Sequence, residues 1–125
     1  MTESRRRAEA RGRMAESLAV LALRLKGYRI LARRLRLSGG EIDIVAARGR
    51  AVVFVEVKAR DDVALATTAL TAQQRRRLVR AAWQFLGRRP HLAGRDLRFD
   101  LMLVAPRRWP RHIVDAWRAD DVATE

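Results

Sequence analysis

Residues Gly39–Arg60 constrain the fold more than any other stretch, because they combine two strongly apolar runs with charges placed inside them. Isoleucine, valine and phenylalanine dominate these runs, a composition typical of buried β-strands. The short polar segment between the runs contains Gly49, which can adopt the positive φ of a tight turn. We therefore predict two neighbouring strands at the centre of a sheet, joined by a hairpin turn.

Three charged residues interrupt these apolar runs: Asp43 in the first, and Glu56 and Lys58 in the second. Side chains alternate along a strand, so Glu56 and Lys58 are expected on one face. The same alternation predicts that Asp43 points away from the face that carries Ile42 and Ile44. A charge inside such a run is costly unless it is paired, hydrated or bound to a metal. This cost indicates a functional site.

Carboxylates on two neighbouring strands are suitable ligands for Mg²⁺ or Mn²⁺, which prefer oxygen donors and retain several waters. Asp43 and Glu56 would supply these carboxylates, and the backbone carbonyl of Val57 is a further candidate ligand. Lys58 could orient a metal-bound water or neutralise charge that develops on a phosphate. This chemistry suits phosphodiester hydrolysis. An ordinary cross-strand charge cluster is the alternative, but the apolar setting and the basic composition favour a nuclease-type site.

The net charge of the chain is +13, and nearly all of it comes from arginine, since Lys26 and Lys58 are the only lysines. The planar guanidinium fork matches phosphate, so nucleic acid is the first expected partner and an anionic membrane surface the second. A solvated surface in an arginine-rich proteome would explain part of this excess. The candidate nucleic-acid contacts are Arg33, Arg34, Arg36, Arg60, Gln74, Arg75, Arg76, Arg77 and Arg80.

Several functional classes are disfavoured by composition. The chain has no cysteine, and its only histidines, His91 and His112, are predicted in loops, which argues against a zinc site or a histidine-based triad. No apolar run reaches the length of a membrane span, and no secretory signal is evident, so a cytoplasmic protein without membrane insertion is expected. The length fits one domain, residues 1–125, with flexible ends at 1–8 and 119–125.

Helical periodicity predicts a first helix that ends before Gly27 and a second that begins at Thr71, with Thr71-x-x-Gln74 as a capping box. The apolar stripe of the first helix is predicted at Met14, Leu18, Leu21, Ala22 and Leu25. The other predicted elements are strands at Tyr28–Leu37 and Arg98–Val104, a loop at Asp61–Thr68, and a short strand or helical turn at Ile113–Trp117. This order predicts an α/β fold with a mixed sheet covered by helices.

The segments Gly40–Val45 and Val53–Arg60, GEIDIV and VFVEVKAR, closely resemble the signature of the YraN-like family of small bacterial proteins. That family is similar to the restriction-endonuclease-like superfamily and to archaeal Holliday-junction resolvases. Upstream, Gly12-x-x-x-Glu16 matches a family helix motif in which Ala15 replaces the second glycine. Downstream, Arg98-Phe99-Asp100 matches its RFD strand. The resemblance covers most of the chain.

The resemblance implies a restriction-endonuclease-like mixed sheet and a metal-dependent endonuclease of the PD-(D/E)xK type, acting on DNA that is branched or damaged. It implies metal ligands at Asp43 and Glu56, a catalytic lysine at Lys58, and an assisting carboxylate at Glu16. The residues alone favour a different place for Glu16, on the surface and paired with Arg13 or Arg24. A family lysine is replaced by Gln74, and the loop at 61–70 lacks the usual glycine, so substrate contacts stay open.

Two other functions fit the same residues: a non-catalytic nucleic-acid-binding protein of this fold, and a basic protein that associates with ribosomal RNA or membranes through charge alone. Symmetric cleavage of two strands requires two sites, which favours a homodimer. The candidate interfaces are the strand edge near Arg33–Arg36 and the tryptophans Trp109 and Trp117.

Overall fold

In the computed structural model, which describes residues 2–60 and 70–118, two α-helices lie on opposite faces of one mixed five-stranded sheet. The elements are α1 (Glu3–Leu25), β1 (Arg29–Leu37), β2 (Gly40–Arg48), β3 (Ala51–Ala59), α2 (Ala72–Gly87), a 3₁₀ turn (Pro90–Leu92), β4 (Asp96–Val104) and β5 (Arg111–Trp117). The predicted α/β architecture is confirmed. The predicted loop at Asp61–Thr68 and the predicted flexible tail at 119–125 lie outside the described residues.

The strands are ordered β1-β2-β3-β4-β5 across the sheet. β1, β2 and β3 form an antiparallel meander, and Gly49 has the predicted positive φ, +57°, in the two-residue turn between β2 and β3. β3 and β4 are parallel, so the chain must cross over between them, and α2 lies in this crossover. β5 returns antiparallel to β4 at the sheet edge.

An aromatic core fills the space between α2 and the sheet. Phe54 packs edge-on against Phe85 of α2, and Phe99 stacks on Trp117 with ring centroids 5.4 Å apart. Burying a side chain of this size contributes about 1.5–3 kcal/mol. Trp117 is only 3% exposed, so it cannot form the intermolecular interface suggested by the sequence, whereas Trp109 remains exposed.

The face of α1 that contacts the sheet differs from the predicted stripe. Met14, Leu21 and Leu25 are exposed, the last to 70%, while small residues such as Ala15 and Ala19 are buried against the sheet. Alanines let a helix approach closely, and this approach brings Glu16 inside as well. The helix also begins earlier than its apolar period, at Glu3, where the Thr2 side chain accepts a hydrogen bond from the Arg5 amide.

Candidate active site

The candidate site lies where the two central strands separate. β2 and β3 are paired from Arg48 and Ala51 to Ile44 and Val55, and the pairing stops there although both strands continue. β2 stays paired with β1, and β3 stays paired with β4. The first residues beyond the last pair are Asp43 on β2 and Glu56 on β3, so the fork between the strands is lined by the two predicted carboxylates.

The Asp43 carboxylate occupies the fork. Its Oδ2 accepts a hydrogen bond from the backbone N–H of Val57 at 2.9 Å. A strand amide at this position would otherwise need a backbone partner on β2. The Asp43 side chain therefore provides the hydrogen-bond partner of the Val57 amide. The same hydrogen bond fixes the position of the carboxylate.

Strand alternation breaks at Asp43. Ile42 packs in the cluster with α2, whereas Ile44 packs in the cluster with α1, so the prediction that they share a face is wrong. The same happens across the pairing, because Arg34 on β1 lies opposite Asp43 and has a φ of +48°. One residue on each strand thus leaves the regular alternation here without a register shift, since the shift between β1 and β2 lies between Ile30 and Ala32.

Glu56 and Lys58 do share one face of β3. Val55 and Val57 pack toward α1 and Phe54 toward α2, so by alternation Glu56 and Lys58 leave the strand on the α2 side. The Lys58 Nζ lies 3.5 Å from Glu56 Oε1, and both side chains are largely buried.

Asp43 and Glu56 influence each other's pKa at the fork. Burial raises the pKa of Glu56 to about 8, and the adjacent Asp43 charge acts in the same direction, while Lys58 opposes both. Burial also raises the pKa of Asp43, partly offset by the Val57 amide. At neutral pH the pair therefore holds a proton, because two carboxylates this close are not both ionised in a desolvated site.

Glu16 is only 6% exposed, and two arginines of β1 hold its carboxylate. Arg33 Nε donates to Oε1 at 3.1 Å and Arg34 Nε donates to Oε2 at 2.8 Å. The predicted surface pairing with Arg13 or Arg24 is therefore wrong. The negative charge of Glu16 contributes to the raised pKa of Asp43. The Glu16 carboxylate therefore interacts electrostatically with the fork. That Glu16 assists a bound metal stays a prediction.

The candidate nucleic-acid contacts before the central strands are mostly engaged within the chain. Arg33 and Arg34 bind Glu16, and Arg36 lies 3.5 Å from the Glu41 carboxylate at an exposed position. After β3, a guanidinium nitrogen of Arg60 donates to a backbone carbonyl next to it in the chain.

On α2, Gln74 completes the predicted capping box. Its side-chain oxygen accepts from the Thr71 amide, while the Thr71 hydroxyl accepts from the Gln74 amide. Arg75 is half-buried, with its guanidinium 6.0 Å from the Trp117 ring, and Arg76 is half-buried as well. Arg77 and Arg80 are exposed, so of the predicted contacts on this helix they are the most accessible.

A second buried charge cluster was missed from the sequence. Asp100 is fully buried and accepts hydrogen bonds from Arg98, from His112 Nε2 at 2.6 Å and from the Asp115 amide. Burial alone raises the pKa of Asp100, but these donors outweigh it and hold the pKa below its usual value. The predicted loop position of His112 is wrong, since it lies on β5 with its side chain buried.

This cluster ties the sheet edge to the end of α1. Arg98 also donates to the Tyr28 hydroxyl, and His112 Nδ1 lies 3.0 Å from Lys26 Nζ. The signal available in the sequence was Arg98-x-Asp100 on one face of an apolar strand. The partner on β5 could not be read from local spacing.

The donor set at the fork suits a hard cation. Among residues 2–60 and 70–118, no three His, Cys, Asp or Glu side chains form a group arranged to hold a metal ion. The fork does bring together two carboxyl groups whose pKa values are raised first by burial and then by neighbouring negative charge. Mg²⁺ often uses one or two protein carboxylates and retains its waters, so this pair fits such an ion. No helix in the described part of the chain is long and apolar enough to cross a membrane.

The chain was compared with known proteins. The family model described as "Uncharacterised protein family UPF0102" matches residues 15–104. A UPF0102 protein of Parvibaculum lavamentivorans is 62% identical over 107 residues, covering 86% of this chain and 80% of the relative. UPF0102 proteins of Methylorubrum extorquens and Paramagnetospirillum magneticum are 53% and 58% identical, covering 93% and 90% of this chain and 91% of each relative. The chain therefore belongs to UPF0102, the family of the YraN-like proteins that its central motif resembles.

Proposed function

We propose that this protein is a metal-dependent endonuclease that hydrolyses phosphodiester bonds in cytoplasmic nucleic acid, with DNA as the substrate. The observation that carries this proposal is the placement of Asp43 and Glu56 directly beyond the last pair of β2 and β3, with Lys58 Nζ 3.5 Å from Glu56 Oε1. Buried like charges destabilise a fold, so a purely structural role gives little reason for the pair.

Asp43 and Glu56 would hold Mg²⁺ or Mn²⁺, with the Val57 carbonyl as a further candidate ligand. Such an ion lowers the pKa of a bound water and stabilises negative charge on phosphate oxygens. The Val57 amide keeps the Asp43 carboxylate in place at 2.9 Å before any ligand binds. The donor is therefore preorganised, which reduces the reorganisation needed in the reaction.

Lys58 would provide the positive charge next to the reacting phosphate. Its ammonium group is held 3.5 Å from Glu56 and is largely buried, where its charge is weakly screened. In our proposal it orients the attacking water or stabilises the charge that builds up on the phosphate. Its removal should therefore lower the rate of cleavage far more than it lowers metal affinity.

The proposal is tested with a panel of linear, branched and damaged DNA and of RNA, incubated with Mg²⁺ or Mn²⁺ and compared with EDTA. Wild type should cleave at least one substrate, and Lys58→Ala should lower the rate by about 10²–10³, the cost of losing one charge-stabilising group. Arg88→Ala, which removes an exposed cation at the far end of α2, serves as the matched control. Cleavage that persists in Lys58→Ala would remove Lys58 from the mechanism, and no metal-dependent cleavage of any substrate would reject the nuclease.

A second candidate function is nucleic-acid binding without cleavage. It is favoured by the fact that the acidic side chains already have partners within the chain. Glu16 is held by two arginines, and Glu56 interacts with Lys58 and Asp43. In that case the panel would show metal-independent binding and no product. The homodimer expected for symmetric cleavage is likewise a proposal, which sedimentation with and without substrate would test.

A further inference from the structure

A basic notch lies between the turn that joins β1 to β2 and the outer side of α2. It has a volume of about 410 Å³ and is lined by Ser38, Gly39, Arg77, Arg80 and Gln84. Two guanidinium groups, an amide and a hydroxyl thus surround one concavity. These are the side chains that bind a phosphate group.

The notch is held together by a close contact between the turn and the helix. A Cβ atom at Gly39 would lie 3.4 Å from the Ala81 nitrogen and from Arg80 Cβ, at the limit of ordinary van der Waals contact, so the turn approaches α2 closely. Gln84 Nε2 donates to Ser38 Oγ at 2.8 Å and fixes the same turn against α2. The Ser38 hydroxyl accepts in this bond, so its own proton stays available for an anion.

The notch carries the positive charges of Arg77 and Arg80. Within the part of the chain that the structure describes, no carboxylate forms an ion pair with Arg77 or Arg80, in contrast to Arg33, Arg34 and Arg36. The first turn of α2 also lacks an acidic residue, although negative charge is favourable there. Arg77 and Arg80 are three residues apart, so they project from one side of the helix and repel each other. An anion between them would remove that repulsion.

The notch faces the same side of the sheet as Glu56 and Lys58, which is the α2 side. Gly39 lies in the turn before β2, four residues ahead of Asp43, which corresponds to at most about 13 Å at the usual strand rise. Duplex DNA rises about 3.4 Å per base pair, so this separation corresponds to about four base pairs. A substrate positioned at the fork therefore extends to the notch within half a helical turn.

We propose that the notch binds one backbone phosphate of the nucleic acid, about four nucleotides from the cleaved bond, with Arg77 and Arg80 sharing that phosphate. This inference rests on the proposed function only in taking nucleic acid as the substrate. Because binding to the notch requires no metal, it can be measured while cleavage is switched off.

The test measures the affinity for a short fluorescent DNA duplex in EDTA as a function of salt. Arg77→Ala and Arg80→Ala should each weaken binding about tenfold, as expected for a lost charge-assisted contact. Each should also lower the salt slope by about 0.9, the value for one phosphate. Since both arginines serve the same phosphate, the double variant should lower the slope by no more than either single variant.

Two further variants and one control define the outcome. Gln84→Ala should weaken binding without changing the salt slope, because it removes no charge, and Arg88→Ala should leave both unchanged. A double variant that lowers the slope by about 1.8 would indicate two separate phosphates and overturn the notch. The notch would also be rejected if its variants bound DNA with the same affinity and salt slope as Arg88→Ala. It would likewise be rejected if they weakened binding only to phosphatidylglycerol vesicles and not to DNA.

The two proposals fail differently. Metal-dependent cleavage with unaltered affinity of the notch variants would reject the notch and leave the nuclease standing. Notch-dependent DNA binding without cleavage on any substrate would reject the nuclease and support the notch.

Discussion

The Asp43 side chain replaces a β-strand partner for Val57, because its Oδ2 accepts the Val57 N–H at 2.9 Å where β2 and β3 no longer pair. One carboxylate thus supplies the hydrogen-bond partner of a β3 amide through one oxygen, and its second oxygen remains as a candidate metal ligand. Structure and proposed function are therefore coupled at this residue, and substitutions can separate them.

Asp43→Asn should keep the hydrogen bond to Val57 and remove the charge, whereas Asp43→Ala should lose both. We expect the Ala variant to be less stable than the Asn variant by about 1–3 kcal/mol, the cost of an unsatisfied buried amide. For a domain of this size, each kcal/mol corresponds to about 4 °C in Tm. Calorimetry without metal measures this difference, and equal Tm values would show that the hydrogen bond contributes nothing. Both variants should lose stabilisation by Mg²⁺.

The stability of the metal-free protein should decrease as the pH rises from about 4.5 to about 8. The pKa of Glu56 is raised from its ordinary 4.5 to about 8 in the folded protein, so the native state holds a proton that the unfolded chain has released. The free energy of unfolding then falls with pH by at most about 1.4 kcal/mol per unit. Urea unfolding across this range measures the slope, which Glu56→Gln should flatten.

Divalent cations should reverse this trend, since they compete with the proton for the same oxygens. Stabilisation by Mg²⁺ should accordingly be larger at pH 8 than at pH 6 in wild type and absent in Glu56→Gln. A Mg²⁺ effect that is independent of pH would place the ion elsewhere.

Glu16→Gln tests the link between α1 and the fork. Removal of the charge leaves Arg33 and Arg34 without their carboxylate, and we expect a loss of about 1 kcal/mol because both arginines are partly exposed. If Glu16 assists the metal, calorimetric Mg²⁺ affinity should fall less than in Asp43→Asn but measurably. Affinity equal to wild type would restrict Glu16 to anchoring the arginines.

Asp100→Asn should destabilise the protein far more than a comparable change at the surface. The substitution leaves Arg98, whose side chain is 20% exposed, without its carboxylate partner, and we expect a loss at or below the lower end of the ~3–5 kcal/mol typical of fully buried pairs. The matched control is Asp115→Asn, since Asp115 forms a more exposed pair with Arg118 and asparagine tolerates its positive φ. Similar unfolding curves for the two variants would contradict a stabilising role of the buried cluster.

Features that depend on neighbouring residues were predictable from the sequence. The capping box at Thr71 and the positive φ of Gly49 follow from local chemistry, and both are present. The shared face of Glu56 and Lys58 follows from strand alternation, which is regular along β3. These predictions required no knowledge of what packs against them.

Features set by distant contacts were not predictable. The irregularity at Asp43 depends on a matching one at Arg34 across the pairing, and strict alternation cannot show either. The buried face of α1 was predicted from its largest apolar residues, but the sheet contacts a face on which alanines lie beside Val20 and Leu23. His112 pairs with Asp100, which is twelve residues away on a neighbouring strand.

The antiparallel meander has a consequence for synthesis on the ribosome. Glu16, Asp43, Glu56 and Lys58 all lie within the first 58 residues, and short turns connect the strands that carry the last three. Local antiparallel pairs form readily, whereas β3 acquires its parallel partner only after the crossover and β4 have emerged. The nascent chain thus assembles its acidic fork while one edge of β3 is still bare, and translation of β4 closes that edge.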